Sequence, residues 1–176
     1  LLVSVNQDQT CNAYWNGESI NFFVEGAGCA NTARLGDVVY HEYGHGVHQN
    51  AIIPGVGAMS VSLSEGVSDY LAAPIVHDSG TARGFFLGSD EPLRELDPVD
   101  WEWSWPEDIG EVHDEGRIIG GSYWDLRSQL SNKYGAVAGV ALTDRLWFQA
   151  IRRATDIPSA YFETLIADDD DGDLTN

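Results

Sequence analysis

The chain has 176 residues, 43% hydrophobic and 11% aromatic, which supplies a packed core for a single domain and excludes a disordered polymer. Its 28 Asp and Glu against 9 Lys and Arg give a formal net charge of -19, which excludes a nucleic-acid backbone or an anionic membrane surface as partner and favours metal ions or cationic peptides. No apolar run nears the ~20 residues that cross a bilayer, so membrane insertion is not expected. Solubility, or a salty medium, accounts for the acidity without any ligand. The chain begins without Met and without a basic then apolar leader, and is read as a processed segment or an excised domain.

Residues 1–29 read as extended. Leu1-Leu2-Val3-Ser4-Val5 is rich in β-forming residues, and Ser19-Ile20-Asn21-Phe22-Phe23-Val24 forms a strand after the Asn16-Gly17 turn, giving a two-stranded edge. Cys11 and Cys29 flank this hairpin. A disulfide between them would contribute about 3 kcal/mol and fits a secreted, extracellular protein; two buried free thiols are the alternative. Gly26-Ala27-Gly28 ends the strand pattern. Helical periodicity then runs from Thr32–Arg34 to Asn50, Pro54-Gly55 and Gly57 make a loop, and a second helix spans Ser62 to Val76. His77 to Gly110, with Trp101, Trp103 and Trp105 alternating, reads as a long structured loop bordering a cleft. Helices are expected over 113–133, 137–154 and 158–167. The tail Asp168-Asp169-Asp170-Asp171-Gly172-Asp173 has the look of a calcium loop, but Ala167 stands where its first ligand belongs, so a solvated acidic tail is the better reading.

His41-Glu42-Tyr43-Gly44-His45 falls within the first helix. Residues four apart share a helix face, so both imidazoles can grip one metal ion with Glu42 beside it. Two solvated histidines would be the bland explanation. A catalytic zinc needs three protein ligands and one open position. Glu65 supplies the third if the second helix packs antiparallel on the first, and Asp69, one turn on, then accepts the free ring N–H of His41. His48 reads as packing or support, and His77 as surface.

These residues carry a family resemblance. Asp37-Val38-Val39-Tyr40-His41-Glu42-Tyr43-Gly44-His45, followed by Glu65-Gly66-Val67-Ser68-Asp69, resembles the thermolysin-like zinc metallopeptidases, the gluzincins, with features of the fungalysin branch. The His45-to-Glu65 interval is one residue longer than in aminopeptidase-type gluzincins. Their GAMEN sequence is also missing ahead of the zinc helix: Gly57-Ala58-Met59-Ser60 lies after it and is incomplete. The resemblance implies an endopeptidase. It also implies that Asn12-Ala13-Tyr14-Trp15 is an edge strand that pairs with an extended substrate, and that Asp108 orients His113 in the cleft. Asp37 corresponds to a calcium ligand in many members, but the acidic partners expected after Glu65 are absent at their offsets, so the resemblance allows a calcium ion beside the catalytic zinc without requiring one. The family's oxyanion-binding tyrosine has no match at Val56, where His113 alone, Tyr43 or Tyr123 would have to serve. Arg83, Arg94 and Arg117 are the candidates to hold the substrate carbonyl.

The expected fold is α+β, mainly helical: a zincin-type core over 1–176, with a β-hairpin edge (1–33), a zinc-helix region and cleft loop (34–110) and a C-terminal helical subdomain (111–176). The expected activity is zinc-dependent hydrolysis of peptide or protein substrates through a metal-activated water, with Glu42 as general base. The rivals are a non-catalytic zinc-stabilised peptide-binding module of a secreted protein and an acidic calcium-binding module. The sequence leaves the oligomeric state open.

Overall fold

The computed structural model describes residues 1–169 and Gly172. Strands β1 (Leu2–Gln7), β2 (Ala13–Trp15) and β3 (Ser19–Phe23) form a sheet in the order β1-β3-β2, which leaves β2 at an edge. The β2–β3 hairpin turns at Asn16-Gly17. Gly17 takes a φ of 97°, and Asn16 Oδ1 accepts the N–H groups of Glu18 and Ser19 at 2.9 and 2.8 Å. The expected two-stranded edge is corrected by β1, which joins β3 in parallel, with Leu2 opposite Ser19 and Ser4 opposite Asn21. Cys11 and Cys29 form a disulfide, which removes the free-thiol alternative.

A 3-10 turn at Thr32–Arg34 precedes α1 (Gly36–Ala51). The helix starts later than its periodicity predicts because Leu35 is extended, at φ -97° and ψ 109°. Asp37 closes this start: Oδ1 accepts the Val38 N–H at 2.9 Å and Oδ2 accepts the Ala82 N–H, tying α1 to the loop across the cleft. Helix α2 (Val61–Val76) is capped by Ser60 and ends where His77 adopts a left-handed conformation. Within the stretch expected to be all loop, β4 (Gly80–Thr81) and β5 (Arg94–Glu95) make a short antiparallel ladder. Three further helices follow, α3 (Val112–Tyr134), α4 (Ala136–Ile151) and α5 (Ile157–Asp168), within a few residues of expectation. The fold is α+β and about half helical. No described helix is long and apolar enough to cross a membrane. Asp170, Asp171 and Asp173 of the acidic tail lie outside the described residues.

Helix α2 is central and buried nearly throughout, with Leu63 and Val67 fully enclosed. Small residues let its neighbours close in. A Cβ at Gly66 would lie 2.0 Å from the Gly116 carbonyl oxygen on α3, and one at Gly44 of α1 would lie 2.8 Å from Ser68 Cα. Glycines at these contacts therefore set both helix spacings. Two apolar clusters result: Leu63, Tyr70, Ile119, Trp147 and Ile157 join α2 to α3, α4 and α5, and Ile20, Phe22, Val38 and Phe85 join the sheet to the start of α1 and the cleft loop. Helix α1 bridges them, with Val38 in one and Val47 and Ala51 against the other. The His41–His45 segment lies between the two.

Candidate metal centre

His41 and His45 project from one face of α1, and antiparallel α2 brings Glu65 and Asp69 against them. His41 Nε2 and His45 Nε2 are 3.1 Å apart, Glu65 Oε2 lies 3.2 Å from His41 Nε2, and Glu65 Oε1 lies 3.5 Å from His45 Nε2. Ligand atoms from all three residues fall within 4.8 Å of one another, and among the described residues this is the one group of His, Cys, Asp and Glu that could hold a metal ion. Glu65 Oε2 is buried without a well-aligned hydrogen bond. Two imidazole nitrogens and a carboxylate converging on one point, with a buried oxygen left over, suit a divalent cation. Asp37, the expected calcium ligand, spends both oxygens on backbone N–H groups, and no second ligand cluster surrounds it among the described residues.

The two histidines are supported differently. His41 Nδ1 lies 2.6 Å from Asp69 Oδ1. Asp69 is fully buried and takes a two-pronged hydrogen bond from Arg94, with Nε and Nη2 each at 2.7 Å. Burial alone would push the His41 pKa down, but Asp69 outweighs it and holds the imidazole at about 10. Burial likewise favours neutral carboxyls at Glu65 and Asp69. The hydrogen bond and charge of His41 bring Glu65 down to about 2, and Arg94 with His41 holds Asp69 well below the usual range. His45 is pushed down to about 3, by burial and then by the charge of His41. Its Nδ1 faces two hydroxyls, Ser64 Oγ at 2.9 Å and Ser68 Oγ at 3.2 Å.

Glu42 is 5% exposed, and burial pushes its carboxyl up to about 7, a rise the nearby charge of His41 tempers. An open cleft of about 670 Å³ runs over these groups. Asn12, Ala13, Tyr14 and Trp15 line one side, so the sheet edge borders the site, although the Asn12 carbonyl already accepts from the Thr32 hydroxyl at 3.0 Å. Leu93, Arg94, Phe85 and Ala82 line the other.

His113, in the first turn of α3, also faces the cleft, its Nε2 3.5 Å from Glu65 Oε2. The expected partner, Asp108, is corrected here. Its carboxylate accepts from the Ser104 N–H at 2.8 Å and the Ser104 hydroxyl at 3.3 Å, closing a turn in the preceding loop. Glu111 takes its place: as N-cap of α3 it accepts the His113 backbone N–H at 2.9 Å and meets His113 Nδ1 at 2.8 Å, and its hydrogen bond to His113 lowers its own pKa. The pattern of a cap residue two positions before the histidine was the available signal.

Of the three candidate arginines, Arg94 alone lines the cleft. Arg83 pairs with Asp78 and Glu95 in solvent, and Arg117 pairs with Asp114 and lies 3.6 Å over the Trp103 ring. Tyr123 cannot replace the missing tyrosine, because its hydroxyl bonds Thr164 beneath α5. Nothing in the sequence around Arg94, Ser64 or Ser68 marks them, since their partners lie on other elements.

No family model matches the sequence, and no curated protein matches it. A solved structure does: the precursor of protealysin, a metalloproteinase from Serratia proteamaculans, with a TM-score of 0.64 at 18% identity over 88% of this chain. The likeness is one of fold. This chain spans 58% of the length of that one. The fold is thus like that of this metalloproteinase precursor.

Proposed function

We propose that this chain is the catalytic unit of a secreted, zinc-dependent endopeptidase with a zincin-type core, thermolysin-like in its site. The observation that carries this is the convergence of His41, His45 and Glu65 at the floor of an open cleft that also holds Glu42 and is bordered by a sheet edge. A precursor can be matched through its catalytic part or through the segment that precedes it. The three-donor cluster and cleft within this chain favour the catalytic part.

His41, His45 and Glu65 would hold the ion. When bound there, zinc would supply Lewis acidity toward a carbonyl oxygen and toward water. Glu42, a buried carboxyl held near neutrality, takes a proton from the attacking water and passes it to the leaving amine. His113, steadied by Glu111, donates a hydrogen bond to the oxygen on which charge develops. The β2 edge pairs with an extended peptide, and Arg94 presents its remaining N–H groups to a substrate carbonyl while clamping Asp69. Asp69 in turn fixes the ring of His41.

The test is zinc content and cleavage of an unstructured protein for the wild type and Glu42→Gln. Zinc in both, with cleavage lowered about 10²- to 10⁴-fold in the variant, is the expected result. Zinc bound without cleavage by the wild type would leave only a peptide-binding module.

A further inference from the structure

Each histidine of the centre must offer a lone pair at Nε2, and therefore keep its proton on Nδ1. His41 has a carboxylate, Asp69, to hold that proton. For His45 no carboxylate stands at Nδ1 among the described residues. Two hydroxyls do, Ser64 Oγ at 2.9 Å and Ser68 Oγ at 3.2 Å, both buried, Ser68 completely. They are four residues apart on α2, and so lie in one row beside the row of Glu65 and Asp69. One row therefore supplies a ligand and the support of His41, and the adjacent row supports His45.

The approach that allows this is built into α1. A Cβ on Gly44 would lie 2.9 Å from Ser68 Oγ and 2.8 Å from Ser68 Cα, so any larger residue would drive Ser68 away from His45. A hydroxyl differs from a carboxylate in being able to donate as well as accept. With two hydroxyls on one nitrogen, a shared three-centre bond from Nδ1–H satisfies both acceptors at once.

Resting on the metal reading of His41, His45 and Glu65, we propose that Ser64 and Ser68 are paired positioning residues that hold His45 in its Nδ1–H tautomer, and thereby set the affinity of the centre for its ion. The pair makes the support of His45 redundant: either hydroxyl alone keeps most of the effect.

The experiment is competition for zinc between a chelator and the full chain, with nitrogen NMR of the His45 ring as the signature that general structural damage does not produce. Ser64→Ala/Ser68→Ala together should weaken zinc binding about 10- to 100-fold and populate the Nε2–H tautomer of His45 in the metal-free protein. Each single alanine variant should lose less than the square root of that factor. Ser64→Thr in the Ser68→Ala background should restore affinity to the single-variant level. If the double variant does not fold, Ser64→Ala alone must still show a smaller loss of zinc affinity and a measurable rise in the minor Nε2–H fraction of His45, and no change in either overturns the proposal. Unchanged zinc affinity in a folded double variant, or a pure Nδ1–H tautomer in it, overturns the proposal. Because zinc is measured apart from cleavage, a wild type that binds zinc and cuts nothing sinks the peptidase reading alone. A wild type that binds no zinc sinks both.

Discussion

The floor and the wall of the cleft are built on opposite principles. On the floor, His41, Glu42, Glu65 and Asp69 are 6%, 5%, 7% and 0% exposed, and they are positioned by two helices whose spacing a glycine fixes. On the wall, the side chains of His113 and Glu111 are 45% and 57% exposed, and they are positioned by a single helix cap. A buried charge network must be complete or it destabilises the fold, whereas an exposed pair can be altered with little effect on stability. Damage to His41, Glu65 or Asp69 should therefore appear first in folding and metal binding, whereas damage to the wall, like Glu42→Gln on the floor, should appear in rate alone.

The sharpest way to break that contrast is Asp69→Ala. It strands Arg94 and His41 in the interior, and the expected cost is about 3–5 kcal/mol by denaturant unfolding, with zinc lost at the same time. An Asp69→Ala protein of unchanged stability would mean the floor is not a network.

His48 probes the floor by pH. It is fully buried, neither ring nitrogen has a hydrogen-bond partner among the described residues, and burial pushes its pKa down to about 4. The unfolded chain, with an ordinary value near 6.5, binds the proton more readily than the folded one. The stability contributed by neutral His48 is thus complete above about pH 6.5 and is lost as the pH falls toward 4, by at most about 3 kcal/mol. His48→Phe should flatten that limb of the stability curve, and an unaltered limb would assign it to other groups.

On the wall, His113→Ala should lower kcat by about 10²- to 10³-fold while zinc content and unfolding midpoint stay put. The smallest effect sharpens the comparison most. Glu111→Gln should lower kcat/KM about two- to fivefold, and Asp108→Ala should leave kcat/KM unchanged, because Asp108 holds the Ser104 turn and Glu111 holds the histidine. The reverse order would restore Asp108 as the orienting group.

These contrasts follow what was legible in the chain. Positions 41, 45, 65 and 69 could be read because the interval of four residues on a helix fixes a shared face, and two such faces needed only one antiparallel packing to meet. Asn16-Gly17 could be read because the left-handed conformation belongs to the residue itself. Glu111 and Asp108 could not be ranked by spacing from His113: which carboxylate turns inward depends on where α3 begins, and that is settled by the cap. The parallel pairing of β1 was equally hidden, since its alternation says nothing of which strand lies beside it.

The sequence by itself determined the candidate metal-binding group and the hairpin turn, because helix periodicity and local backbone preference act within a few residues. Only the tertiary structure decided that Arg94 clamps Asp69, that Ser64 and Ser68 face His45, and that Gly44 and Gly66 set the helix spacings. Those contacts join residues on different elements, and their distances are fixed by how closely backbones can approach, a quantity that no single stretch of chain encodes.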